Sequence, residues 1–234
     1  MIPKTLRQPI ALIRRGLRKL LIDPLRYRGA GGYDAERYWS DRFRHYRFSL
    51  RGSGHEGLTE EENEAAYEQA KSDLLQALSD LGVDLASADV LEVGPGSGAF
   101  TQLLAEQGVT SYRGLDITDV LFADLTRRFP SYRFERQDVT TTPISGDYDL
   151  ILVIEVIQHI VDRDRFNRAF RHLLDALRPG GILVVGPVAV RPVGTRRRLF
   201  NVRVWTVDDL SRCCEGRSVE DLGGFRGGRL LAIR

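Results

Sequence analysis

Three observations predict an α/β chain built on a mostly parallel sheet. Short apolar runs alternate with stretches of helical periodicity, the order that joins parallel strands through crossover helices. One such run, Val90–Val93, breaks into the loop Gly94-Pro-Gly96-Ser-Gly98 before Ala99, Phe100, Leu103 and Leu104 resume at helical spacing. The last stretch differs: Ser218–Leu222, Gly223–Gly228 and Arg229–Ile233 read as a hairpin, which places one antiparallel strand in the sheet.

At 234 residues one core is enough, with room for a helical addition before it. Residues 1–58 form that extension and a lid, and residues 59–234 form the α/β domain. The net charge of +2 gives no global field for nucleic acid. Cys213 and Cys214 are neighbours and make a poor structural staple, which points to a reducing, cytoplasmic protein. In residues 9–22, Ile10, Ile13, Leu17, Leu20 and Leu21 line one face, with Arg14, Arg15, Arg18 and Lys19 on the others. Such a helix either lies on an anionic membrane or packs against its own domain or a dimer partner. The arginines break the unbroken apolar centre that a cleaved signal needs.

Taken in order, Gly29-Ala-Gly-Gly32 is a joint, and Asp34–Tyr46 is a helix with Tyr38, Trp39, Phe43 and Tyr46 as a packing stripe. An aromatic at a pocket mouth would also hold a substrate ring. Residues 47–58 are polar and glycine-rich, and with His55-Glu56 they suit a lid as well as a linker. Thr59 and Glu62 form a capping box for a helix running to about Leu81, stopped by Gly82. After the glycine loop come strand Tyr112–Asp116, helix Val120–Phe129, strand Tyr132–Gln137 and strand Tyr148–Ile154. Helix 163–177, strand Ile182–Gly186 and helix Thr206–Glu215 follow. The Tyr148–Ile154 run is almost wholly apolar, as in a strand buried on both faces.

Glycines at a strand's end let a ligand approach the backbone, and the helix start aims free N–H groups at it, so a nucleotide-like cofactor belongs there. Gly94-x-Gly96-x-x-Ala99, with Asp116 about 20 residues on, also fits a dinucleotide fingerprint. Glu92 argues otherwise, since a carboxylate facing the loop suits a cationic amino-acid ligand and repels a pyrophosphate. The stretch Val-Leu-Glu-Val-Gly-Pro-Gly-Ser-Gly resembles motif I of the class I S-adenosylmethionine-dependent methyltransferases. The resemblance continues through Gly-Leu-Asp116-Ile, Gln-Asp138-Val, the run ending at Glu155, and Leu-Arg-Pro-Gly-Gly-Ile-Leu-Val-Val. It covers about residues 65–234.

This resemblance implies a Rossmann-like, seven-stranded, mostly parallel sheet with a C-terminal antiparallel hairpin strand and an N-terminal helical cap. It also implies S-adenosyl-L-methionine as cofactor, with S-adenosyl-L-homocysteine as product. Glu92, Gly94, Gly96 and Gly98 would take the methionine part, Asp116 the ribose hydroxyls, and Asp138 with Val139 the adenine. Glu155 and His159 lie where the family presents catalytic groups, and His159 is the candidate base for a hydroxyl acceptor. Some relatives hold a divalent metal with Glu-x-x-Glu-His. Here Gln158 replaces one carboxylate, and no obligatory metal is expected. Arg191, Arg196, Arg197, Arg198 and Arg203 would either grip a carboxylate or phosphate or form a solvated rim. His55 and Arg191, Arg196 and Arg198 are the candidate acceptor contacts. The expected activity is O-methylation of a small molecule, sugar or lipid-linked metabolite, anionic or glycosylated. A non-catalytic S-adenosylmethionine-binding scaffold and a nicotinamide-dependent dehydrogenase are the alternatives.

Overall fold

A computed structural model describes residues 16, 18–29, 32–55, 57–190, 199–214 and 216–234. Seven strands form one sheet: β1 (Asp89–Val93), β2 (Ser111–Asp116), β3 (Arg133–Arg136), β4 (Tyr148–Ile154), β5 (Leu177–Val188), β6 (Val219–Phe225) and β7 (Gly228–Ile233). Their spatial order is β3-β2-β1-β4-β5-β7-β6. The first five run parallel, with Val90 beside both Tyr112 and Leu150, and β7 is antiparallel to β5, with Leu183 opposite Ile233. From β1 the chain winds outward through β2 and β3, then returns to β4 on the other side. Strand order therefore reverses between β1 and β4, the place where such sheets open a crevice for ligands.

Helices α1 (Ala35–Tyr46), α2 (Glu60–Asp80), α3 (Ala99–Glu106), α4 (Phe122–Arg128), α5 (Arg163–Asp175) and α6 (Val207–Cys213) complete the fold. Strand alternation divides the core. Val90, Leu150, Leu152 and Val184 face Leu74, Leu104 and Leu125, while Leu91, Ile151, Val153 and Val185 face Phe166, Phe170 and Leu210. Phe43 of α1 joins the first of these clusters beside Tyr67 of α2, so the cap shares the sheet's core.

Local chemistry sets the ends of the elements. The Thr59–Glu62 capping box is formed in both directions, at 3.2 and 2.7 Å. Asp34 caps α1 by accepting from the Arg37 N–H at 3.0 Å. Residues 47–58 are not featureless, because Leu50–Ser53 makes a helical turn. Arg42 fastens that turn by donating to the carbonyls of Gly52, Arg51 and Gly54 at 2.5, 2.8 and 3.1 Å. Strand β5 is longer than expected, since Leu177 already pairs with Tyr148 and the strand then passes through the Arg-Pro-Gly-Gly segment with a register shift. Most of the amphipathic segment 9–22 lies outside the described residues, and its described end is a turn over Arg18–Ile22.

Candidate functional site

The carboxyl ends of β1, β2, β3 and β4 and the cap enclose one cavity. Gly94, Pro95, Gly96 and Ser97 form its floor after β1. Gly94 holds φ 75°, and a Cβ there would stand 2.4 Å from Val156 Cγ2, so only glycine fits. Gly96 is also left-handed, with a Cβ position 3.2 Å from Ser53. Gly98 serves packing instead: it does not line the cavity, and a Cβ would reach 2.7 Å from Leu125 Cδ2 on α4.

Glu92 also stands behind the wall. Its buried carboxylate accepts from Tyr112 Oη at 2.6 Å and Thr101 Oγ1 at 2.7 Å. Burial pushes this carboxyl above its ordinary range, and the two hydroxyls offset part of the rise. The expectation of a direct cofactor contact is therefore corrected. Glu92 points with Val90 toward α3 and braces β1, β2 and α3, whereas the next residue, Val93, reaches the cavity.

Asp116 ends β2 on the cavity wall. Enclosure pushes its carboxyl up to about 7, against the pull of the backbone N–H groups of Thr118, Gly96 and Ile117. Asp138 follows β3, accepting from the Thr140 N–H at 2.8 Å, with the Arg165 guanidinium 3.6 Å away. Val139 lines the cavity beside it.

Glu155 and His159 come after β4. His159 Nδ1 lies 3.0 Å from the carbonyl of Asn201, which can only accept, so Nδ1 carries the proton and Nε2 keeps its lone pair. Burial depresses the imidazole to about 4. The Asn201 carbonyl opposes that shift and the Arg42 charge adds to it. Trp39 sets its edge on the ring, with centroids 4.8 Å apart. Glu155 is already engaged: Arg226 Nε donates to Oε1 at 2.6 Å, and the Tyr67 hydroxyl approaches Oε2 at 3.4 Å. Both Glu155 (φ 60°) and Arg226 (φ 46°) hold left-handed backbones. Among the described residues no group of His, Cys, Asp and Glu is gathered for a metal ion.

Of the acceptor contacts expected from the sequence, only His55 is among the described residues. His55 is exposed on the cap; its Nδ1 accepts from the Gly57 N–H at 3.2 Å and its own N–H donates to Asn63 at 2.9 Å, away from the cavity. Arg191, Arg196, Arg197 and Arg198 lie outside the described residues. Arg203 is described, and it stacks over the Trp205 ring at 4.1 Å.

Other groups, not singled out by sequence, line the cavity instead. Tyr33 Oη and Thr140 Oγ1 are buried there without hydrogen-bond partners. Ser53 reaches Ser97 at 2.8 Å, and Ser40 reaches Thr118 at 2.8 Å, tying the cap to the loops after β1 and β2. Arg226 had no local signal, since it lies 71 residues from Glu155 in an ordinary-looking turn.

This geometry agrees with what the chain resembles elsewhere. Residues 90–181 match a family described as a methyltransferase domain. Nodulation protein S of Bradyrhizobium diazoefficiens is 27% identical over 172 residues, covering 67% of this chain and 79% of that protein. The N-methyltransferase NodS of Bradyrhizobium japonicum, solved with S-adenosyl-L-homocysteine, superposes with a TM-score of 0.56 at 22% identity, over 71% of this chain and 84% of that one. Magnesium protoporphyrin IX methyltransferase of Synechocystis PCC 6803, also with S-adenosylhomocysteine bound, gives 0.59 at 18% identity, over 96% and 99%. The domain match runs from β1 into β5 and takes in the strands whose carboxyl ends line the cavity, so this stretch of the chain is similar to a methyltransferase domain and the whole shares the fold of these solved methyltransferases.

Proposed function

We propose that this methyltransferase acts on a hydroxyl of a small molecule, sugar or lipid-linked metabolite, and that His159 takes the hydroxyl proton. The observation that most supports this is the imidazole's tautomer. With Nδ1–H given to Asn201, Nε2 is the free basic atom on a residue of the cavity wall. A pKa near 4 keeps it neutral at physiological pH.

S-adenosylmethionine supplies a methyl group on a positively charged sulfur when bound. Backbone groups of Gly94 and Gly96 would hold its methionine part, Asp116 the ribose hydroxyls, and Asp138 with Val139 the adenine. The enclosed Asp116 carboxyl suits this task, because two hydroxyl donors would replace the water it lacks. With the cofactor bound, the acceptor oxygen would take the methyl carbon as the carbon–sulfur bond breaks, and His159 Nε2 would take the acceptor proton. Trp39, Phe43 and Tyr67 give the acceptor side apolar rings to align it, and alignment is itself a large part of the acceleration. Glu155, held by Arg226, is a positioning group for the segment carrying His159.

A second reading, transfer to an amine, rests on the likeness to a protein named as an N-methyltransferase. Incubation with S-adenosylmethionine and matched sugars or phenols and their amino counterparts separates the two. Methyl ethers that vanish in His159→Ala support the hydroxyl reading. Methylated amines alone overturn it while leaving methyl transfer intact. S-adenosylhomocysteine binding without turnover of any acceptor would return the scaffold reading.

A further inference from the structure

The turn at Arg18–Ile22 and the helical turn after it carry the largest apolar exposure among the described residues. Leu20, Leu21, Ile22 and Leu25 are 62%, 61%, 57% and 75% exposed. Four large aliphatic side chains within six residues are exposed together, and apolar surface of this kind facing water marks an interaction site. The described part thus does not bury this face against its own domain.

Charge indicates the occupant. Residues 1–25 contain Lys4, Arg7, Arg14, Arg15, Arg18 and Lys19 against one acid, the buried Asp23, which lies 3.5 Å from Arg18 Nε. With the whole chain at +2, this stretch carries +5 and residues 26–234 carry −3. A second copy presenting the same segment would set +5 against +5, which disfavours a two-fold contact there. An anionic lipid surface satisfies both features, taking the aliphatic side chains into its interface and the cations at its headgroups. It also orients the molecule, since the acidic remainder is repelled from the same surface. No helix among the described residues is long and apolar enough to cross a membrane, so the segment would lie on the bilayer and not span it.

We infer that residues 18–25, with the basic residues before them, are a docking surface for an anionic membrane. Only seven residues separate Leu25 from Tyr33 on the cavity wall, so docking brings the bilayer to the cap through which a lipid-linked acceptor would reach the site. The surface itself does not depend on which atom is methylated.

The test is flotation of the full chain with phosphatidylcholine vesicles, with and without phosphatidylglycerol. The parent should float with the anionic vesicles and much less with neutral ones, and salt near 1 M, where the Debye length is ~3 Å, should release it. Leu20→Glu/Leu21→Glu/Leu25→Glu should abolish flotation. Arg14→Gln/Arg15→Gln should weaken it by roughly fivefold per charge, the worth of one basic residue at such a surface. Both variants should keep the parent's S-adenosylhomocysteine affinity, which shows that they are folded. Failure of the parent to float, or equal flotation of the Glu variant, overturns the inference. So does a dimer in sedimentation that the Glu substitutions split, because the patch would then belong to a second copy. Loss of S-adenosylhomocysteine binding by the parent would strike the proposed function instead and leave the docking result standing.

Discussion

Asp116 carries opposite consequences for folding and for binding. In the free protein its carboxyl sits near 7, well above the ordinary carboxylate range, because enclosure disfavours the charge. A raised acid pKa means that the folded state holds the proton more tightly than the unfolded one. Stability therefore falls as pH rises from about 4 through about 7. Ribose hydroxyls would favour the carboxylate, so cofactor binding should release a proton and tighten with pH over the same window. We expect S-adenosylhomocysteine to bind more tightly at pH 8 than at pH 6, a slope that calorimetry should find flattened in Asp116→Asn. The same variant should melt higher than the parent at pH 8. Asp116→Ala should weaken the ligand by roughly 1.5–3 kcal/mol, the worth of hydrogen bonds to a charged acceptor. Unchanged affinity would remove Asp116 from the site. At His159 a free imidazole would titrate at 6–7, but the buried ring is neutral down to about 4. Its protonation should leave kcat flat between pH 6 and 8, while His159→Ala slows turnover roughly 10²–10⁴-fold and His159→Gln does not restore it. A base-dependent limb near 6.5 in the parent would contradict the enclosed ring.

The elements meet in two braces that can be tested apart. Glu92 joins β1 to α3 and β2, and Glu92→Ala leaves the Thr101 and Tyr112 hydroxyls buried with only each other, 3.1 Å apart. That should cost about 1–3 kcal/mol in denaturant unfolding, with a smaller loss of cofactor affinity than Asp116→Ala. The second brace runs from the β6–β7 turn, where Arg226 holds Glu155, caps the Ala66 carbonyl at 3.0 Å and lies over the Tyr67 ring. The pair keeps some water contact, so Arg226→Ala should cost less than the roughly 3–5 kcal/mol of a fully buried pair, and should slow turnover through the displaced His159 segment. Full activity of Arg226→Ala would leave the brace purely structural. Elements governed by neighbours in the chain were legible beforehand. The Thr59–Glu62 box needs only three residues, and Tyr148–Ile154 is apolar because both its faces are covered. The ends of β5 were not legible, because Arg-Pro-Gly-Gly has turn composition and becomes strand only by pairing across to β4. The hairpin turn was likewise read too wide: the strands close to within Arg226 and Gly227.

Across the whole molecule, the same division between local and distant information separates the two halves of the site. One wall of the cavity grows from strand ends, where a glycine loop and acidic residues leave a mark in the sequence. Asp116, Asp138 and Val139 accordingly line the cavity, while Glu92, inside β1, spends its carboxyl on the Tyr112 and Thr101 hydroxyls behind the wall. The facing wall of the cavity is assembled from α1, the residue 53 turn, α2 and the segment after β4, which no single stretch of sequence displays. Tyr33, Trp39, Ser53 and Tyr67 come together only on folding. That assembly also furnishes an optical probe. The chain has two tryptophans: Trp205 is buried against Phe166, with ring centroids 3.7 Å apart, and Trp39 lies on the cavity wall with His159 at its edge. Emission from Trp205 should stay constant on ligand addition, while Trp39 reports whatever enters. An imidazolium quenches excited indole and a neutral imidazole does so far less, so emission should drop as acidification charges His159 near pH 4. That step should vanish in His159→Ala and in Trp39→Phe, giving the proton affinity of the His159 ring without any acceptor in hand.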